Sequence, residues 1–155
     1  MADARVLHRL VFVFVVAGLA LSLYATAESL DPALQSSCTV NAFLSCAAVQ
    51  RSGLTSLGPI PDWSIGVGGF LILLILDVAL LRTYDGRWLL AVLFFAGIGL
   101  VVAAVLAYIE LALIHALCLV CLGTYIADLG VLLVAWKLWR MHRAEPDAGT
   151  QASAS

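Results

Sequence analysis

Charge is what this sequence has least of. Only 12% of its 155 residues are Asp, Glu, Lys or Arg, against 63% hydrophobic residues, and the formal net charge is −2. That balance is too apolar for a soluble domain of this size, so the class is integral membrane protein. No basic block and no interleaving of basic with aromatic residues is present, which excludes a nucleic-acid surface. No repeat with a period of about 20–50 residues is visible, which excludes a solenoid or propeller. Cysteines are few, four in all, and their positions rather than their number carry the information.

What the chain does have is four long apolar runs. The first, 10–27, follows Arg5, His8 and Arg9 and is long enough to cross the hydrocarbon core. Its end, Ala25-Thr26-Ala27, also fits a cleaved signal peptide, but the run is long for one and a retained span is preferred. An outer loop, 28–64, carries Pro32, Cys38, Cys46, Gly53, Gly58, Pro59 and Pro61. Within it, the spacing of Val40, Phe43, Leu44 and Ala47 predicts a short amphipathic surface helix over 39–51. On such a helix Cys38 and Cys46 would be about 12 Å apart in rise. A disulfide tolerates roughly 7 Å between Cα atoms, so pairing requires the chain at Cys38 to leave the helix and fold back.

The second run, 65–81, opens with Gly66, Gly68 and Gly69, which permit close helix approach. Asp77 lies inside it and is expected to reach the headgroups or Arg82. A tight connection with Arg82 and Arg87 leads to the third run, 88–109, with Trp88 as an interface anchor. Glu110 and His115 then bracket a short turn and are expected at the interface, with a proton role for either as the lesser alternative. The fourth run, 116–139, ends in Lys137, Arg140, His142 and Arg143, and the small polar tail 144–155 is expected to be disordered. The resulting fold class is an all-α integral membrane protein: a four-transmembrane-helix bundle, one domain over 1–143, with an outer loop carrying a short surface helix.

Basic residues precede span one, separate spans two and three, and follow span four, so both termini are expected to be cytoplasmic. All four cysteines then fall on the periplasmic or lumenal side of a prokaryotic cell membrane or an endoplasmic reticulum membrane, where disulfides persist. Cys118-Leu119-Val120-Cys121 stands at the mouth of span four. Thiols three residues apart on a helix are within bridging reach. The free N–H groups of a first helical turn favour a thiolate, the attacking species in disulfide exchange. Continued as a helix, Cys118, Cys121, Tyr125 and Asp128 share one stripe.

Attached haem is excluded because Leu122, not His, follows Cys121. A four-cysteine zinc site shares the spacing, but one pair sits on an apolar span without a polar second shell, so no metal is expected. Inert disulfides in a scaffold stay open. Tyr125 is either a packed aromatic bonded to a neighbour or a hydrogen-bond donor to a bound quinone. Asp128, about halfway along a span, is expected to face the bundle interior as a proton donor, a pocket wall or a structural hydrogen bond.

With these residues in place, the sequence resembles the vitamin K epoxide reductase family. The matching pieces are Leu21-Ser22-Leu23-Tyr24-Ala25, the Cys38-x7-Cys46 loop with Ser45, Ser64-Ile65-Gly66 and Leu81-Arg82-Thr83. Tyr108-Ile109-Glu110-Leu111, Ile114-His115-Ala116, and Cys118-Leu119-Val120-Cys121 with Thr124-Tyr125 complete them, so only the tail is uncovered. In the disulfide-bond protein B family the Cys-x-x-Cys lies in the first outer loop; the order here is reversed.

The resemblance implies a membrane oxidoreductase that couples disulfide formation in a thioredoxin-like partner, a separate chain, to reduction of a quinone (ubiquinone, menaquinone or vitamin K). It implies that Cys121 lies next to the quinone and pairs with Cys118, that Cys46 exchanges with Cys118, and that Cys38 exchanges with the partner. Tyr125 would bond the quinone carbonyl, with Cys121 and Asp128 beside it. Trp63 stands where animal members have a second hydrogen-bonding residue, an asparagine. Two alternatives stand beside this reading: vitamin K epoxide reduction in the endoplasmic reticulum membrane, and a non-catalytic membrane scaffold or zinc-binding protein.

Overall fold

In a bilayer every backbone N–H and C=O must be bonded within the chain, so long apolar runs resolve into helices. The computed structural model describes residues 2–35, 38–55, 61–83 and 85–152. Its elements in order are α1 (Ala2–Leu30), α2 (Pro32–Gln35), α3 (Cys46–Ser52), α4 (Asp62–Thr83) and α5 (Gly86–Tyr108), then a π-helical segment (Ile109–Ile114) and α6 (Leu119–Ala152). Four stretches are long and apolar enough to cross a membrane: Arg5–Leu30, Trp63–Thr83, Gly86–Ile114 and Leu119–Arg143. The first three run past the expected ends, because Glu28, Trp63 and Glu110 are carried inside helices rather than marking their termini.

Helix α1 packs on α4 and α6, and α5 packs on the same two, which closes a ring. Val11, Val15, Leu73, Leu80, Val92 and Val131 fill its interior away from the cysteines. Val13, Ile75, Phe94, Val101 and Leu133 point outward, the surface a lipid chain would meet. Of the three glycines opening α4, only Gly66 serves close packing: a Cβ there would meet Ser22 Oγ at 2.9 Å, whereas Gly68 and Gly69 have nothing within 4 Å. Asp77 does not reach Arg82. It is 0% exposed, and among the described residues neither of its oxygens has a hydrogen-bond partner. It shares the buried stripe of Phe70, Leu73 and Leu80, whose spacing turns it inward.

The connection between the first two spans also departs from expectation. Residues 39–45 form no helix. Asn41 Oδ1 accepts from the N–H groups of Phe43 (2.9 Å) and Leu44 (2.7 Å), a side-chain competitor for the helical bonds. Val40 N–H donates to Leu44 O at 2.9 Å, and Thr39 pairs with Ser45 as an antiparallel bridge. The helix starts only where Ser45 caps it, accepting from Ala48 N–H at 3.2 Å, and ends seven residues later at Gly53 with φ 65°. Gly58 and Pro59 lie outside the described residues, as do 153–155. Helical backbone continues through 144–152, where a disordered tail is expected; extending an existing helix needs no new nucleus.

Candidate active site

The segment before α6 is stitched to the segment before α3. Leu117 N–H donates to Phe43 O at 2.7 Å, Ser45 N–H donates to Leu117 O at 3.1 Å, and Leu44 and Leu117 form a parallel bridge. Two helix starts therefore lie side by side, with Cys46 and Cys118 facing each other. The turn at 39–45 brings Cys38 back to Cys46, and these two are disulfide-bonded with Cα atoms 5.7 Å apart. This is the fold-back that pairing requires. Cys118 and Cys121 are free thiols, and Cys118 Sγ sits 3.2 Å from Cys46 Sγ.

Cys118 precedes α6 rather than lying on it. Cys121 N–H donates to Cys118 Sγ at 3.3 Å, so the sulfur occupies the place of an N-cap acceptor and satisfies a first-turn amide. Cys121, Tyr125 and Asp128 follow on one stripe of the helix, as their spacing predicts. That stripe faces a cavity of about 340 Å³ bounded by α1, α4, α5 and α6, with Gln50 of α3 and Trp63 at its cysteine end. The walls are mainly apolar, including Phe70, Leu73, Phe95 and Leu106. Thr124 also lines it, but its hydroxyl donates to Cys121 O at 2.7 Å. Asp128 is buried, and its Oδ2 has no hydrogen-bond partner among the described residues. Gly99 of α5 faces it: a Cβ there would stand 2.7 Å from that oxygen, so glycine leaves the carboxyl its room.

Tyr125 lines the cavity and also bonds a neighbour, since its hydroxyl donates to Glu110 Oε1 at 2.9 Å. Glu110 is the residue that sequence reasoning misplaced. Expected at the interface, it is 1% exposed, and its Oε2 accepts Cys118 N–H at 3.1 Å. It continues the buried stripe of α5, seven residues on from Leu89, Ala96 and Ala103, so ordinary helical spacing turns it inward. The N–H groups of His115 and Ala116 both bond Glu110 O, and His115, exposed as expected, ends the π-helical segment at φ 55°. One signal could have found Glu110: an acid within an apolar run long enough to span is a functional candidate by default.

The sulfurs of Cys38, Cys46 and Cys118 lie within 4.8 Å of one another. Zinc is held by thiolates, and two of these three sulfurs are joined in a disulfide, so this arrangement suits exchange rather than ligation. A thiol against a disulfide, backed by a second thiol facing a pocket, is an arrangement in which disulfide exchange is chemically possible. The family model described as vitamin K epoxide reductase family matches residues 9–136.

The chain belongs to that family.

Comparison with curated proteins gives no match. As a member of the vitamin K epoxide reductase family the protein is a membrane redox enzyme, an oxidoreductase. The matched region runs from Arg9 in α1 to Trp136 in α6, so it takes in all four cysteines together with Glu110, Tyr125 and Asp128.

Proposed function

We propose that this vitamin K epoxide reductase relative oxidises the dithiol of a thioredoxin-like protein, a separate chain, and passes the electron pair to a quinone. The observation that carries this reading is the sulfur sequence itself. A Cys38–Cys46 disulfide lies against the Cys118 thiol, and Cys121, one helical turn on, faces an apolar cavity. A partner thiolate attacks Cys38 and frees Cys46; the partner's second thiol then closes its own disulfide. Cys46 attacks Cys118 of an inner Cys118–Cys121 disulfide, and Cys38 then recaptures Cys46. Each exchange breaks one S–S bond and forms another, and the net result moves two electrons inward. Loop pair oxidised with inner pair reduced, the arrangement seen here, is the state that follows this transfer. Cys38 is 7% exposed, so attack by a partner requires the loop to lift.

The cavity suits a quinone. Its volume falls at the lower end of the roughly 300–1,000 Å³ usual for ligand pockets, and its apolar walls carry a few convergent polar groups. Cys121, Tyr125 and Asp128 line it and would hold the ring. A bound quinone would supply a two-electron, two-proton acceptor. The basic connection from Arg82 to Arg87, at the end of the bundle away from the sulfurs, supports a cytoplasmic location for that end and for both termini.

Turnover of ubiquinone, menaquinone and vitamin K epoxide by detergent-purified protein, with a dithiol as electron source, tests the reading. Wild type is expected to reduce at least one quinone and Cys121→Ala none. Full turnover by Cys121→Ala would rule out the role given to that thiol.

A further inference from the structure

Oxidising the inner pair breaks two S–H bonds and forms one S–S bond, so two protons must leave along with two electrons. Cys121 lines the cavity, and its proton can cross directly to an acceptor there. Cys118 is 1% exposed and, among the described residues, is not part of the cavity lining. It is held between Cys46 and the first turn of α6, buried from solvent. A carboxyl group is tied to that same residue: Glu110 Oε2 accepts Cys118 N–H at 3.1 Å. The other oxygen of Glu110 takes the Tyr125 hydroxyl at 2.9 Å, and the Tyr125 side chain lines the cavity. One buried side chain thus joins the backbone of Cys118, whose thiol must lose a proton, to the tyrosine that borders the acceptor site.

We propose that Glu110 takes the Cys118 proton and, through Tyr125, sets whether the tyrosine hydroxyl donates into the cavity. An ionised carboxylate only accepts, so it holds the Tyr125 hydrogen turned away from the pocket. Once protonated, Glu110 becomes a donor to Tyr125 Oη, and the tyrosine hydrogen is released to point inward. One proton then travels from Cys118 by way of Glu110 and Tyr125, and the other crosses from Cys121. The two electrons go with them to the acceptor, a quinone, which leaves as the quinol, and the Cys118–Cys121 disulfide remains. In this scheme Glu110 is both the base for Cys118 and the group that orients the Tyr125 hydroxyl. The inference rests on the quinone reading above.

Glu110→Gln is the decisive variant, because glutamine keeps an acceptor of the same shape but cannot carry the proton. The first measurement needs no quinone. An infrared difference spectrum is taken between the dithiol and disulfide forms of the inner pair, using a chemical thiol oxidant on the purified full-length protein. Wild type is expected to gain a carboxylic-acid C=O band on oxidation, and Glu110→Gln to lack it. The second measurement is steady-state reduction of a short-chain ubiquinone. Glu110→Gln is expected to lower kcat by about a hundredfold, the scale of a lost proton-transfer group, with KM unchanged and with dithiothreitol still reducing Cys38–Cys46 at the wild-type rate. Tyr125→Phe is expected to lower kcat similarly but to keep the band, and it serves alone should Glu110→Gln fail to fold.

No band in wild type, the same band in Glu110→Gln, wild-type kcat in either variant, or loss of the band in Tyr125→Phe overturns the proposal. A wild type that shows the band but reduces no quinone overturns the quinone reading instead.

Discussion

Cys46 and Cys118 are both buried with their sulfurs 3.2 Å apart, and each has a competing partner: Cys38 for the first, Cys121 for the second. Removing the competitors should leave the two sulfurs to each other. In a Cys38→Ala, Cys121→Ala double variant, mild oxidation is expected to give one intramolecular Cys46–Cys118 disulfide, read by peptide mapping. Free thiols at both positions after oxidation would show that the relay has no central step. A second residue-level prediction concerns the acid beside the cavity. Gly99→Ala would place a methyl group 2.7 Å from Asp128 Oδ2, on a carboxyl whose position is fixed by the packing of α5 against α6. Overpacking of this kind costs about 1–3 kcal/mol, so Tm in detergent is expected to fall. The KM for quinone should rise while disulfide exchange among Cys38, Cys46 and Cys118 stays unchanged; a rise in Tm with unaltered KM would mean Asp128 yields freely.

Helix α3 offers a test in which the two ends of one element answer differently. Ser45→Ala removes the cap at the end where Cys46 sits, a loss of about 1 kcal/mol. Gly53→Ala forces a side chain into the left-handed region at the other end, at about 1–2 kcal/mol, with nothing within 4 Å for the new methyl to meet. Both should lower stability by similar amounts, yet only Ser45→Ala is expected to slow exchange between Cys46 and Cys118, measured by rapid quench. Equal slowing would assign the effect to stability alone. The same helix shows where sequence reasoning stops. Membrane spans were legible because crossing a bilayer demands apolar length, and the inward face of Cys121, Tyr125 and Asp128 was legible from helical spacing. The outer helix over 39–51 was not, since the apolar spacing of Val40, Phe43 and Leu44 serves equally a turn pinned by Asn41 and stitched to Leu117. The contacts to Leu117 join residues more than seventy positions apart, and periodicity carries no information about them. Glu110 was hidden for a different reason. It stands seven residues beyond Ala103 on the buried stripe of Leu89 and Ala96, and reading it as the edge of a turn cut it off from that stripe.

Across the whole molecule, sulfur and positive charge are segregated. The disulfide and both free thiols gather around the starts of α3 and α6, whereas of the eight Lys and Arg residues only Arg51 belongs to that end. The others flank the start of α1, the connection from α4 to α5, and the length of α6 farthest from its cysteines. Lysine and arginine in short loops are retained on the cytoplasmic side, so the charges and the disulfide make the same demand on orientation from opposite ends. Two introduced cysteines test it. Leu54→Cys lies just beyond α3 at a position 53% exposed, and Thr83→Cys lies exposed at the end of α4. The native free thiols compete little, because Cys118 is buried and Cys121 faces the cavity. A membrane-impermeant maleimide is expected to label Leu54→Cys from the outer or lumenal face and Thr83→Cys only after permeabilisation. The reverse pattern would put Cys38–Cys46 on the side where thiol-reducing systems act, and a disulfide held there could not collect electrons from a partner that needs oxidising.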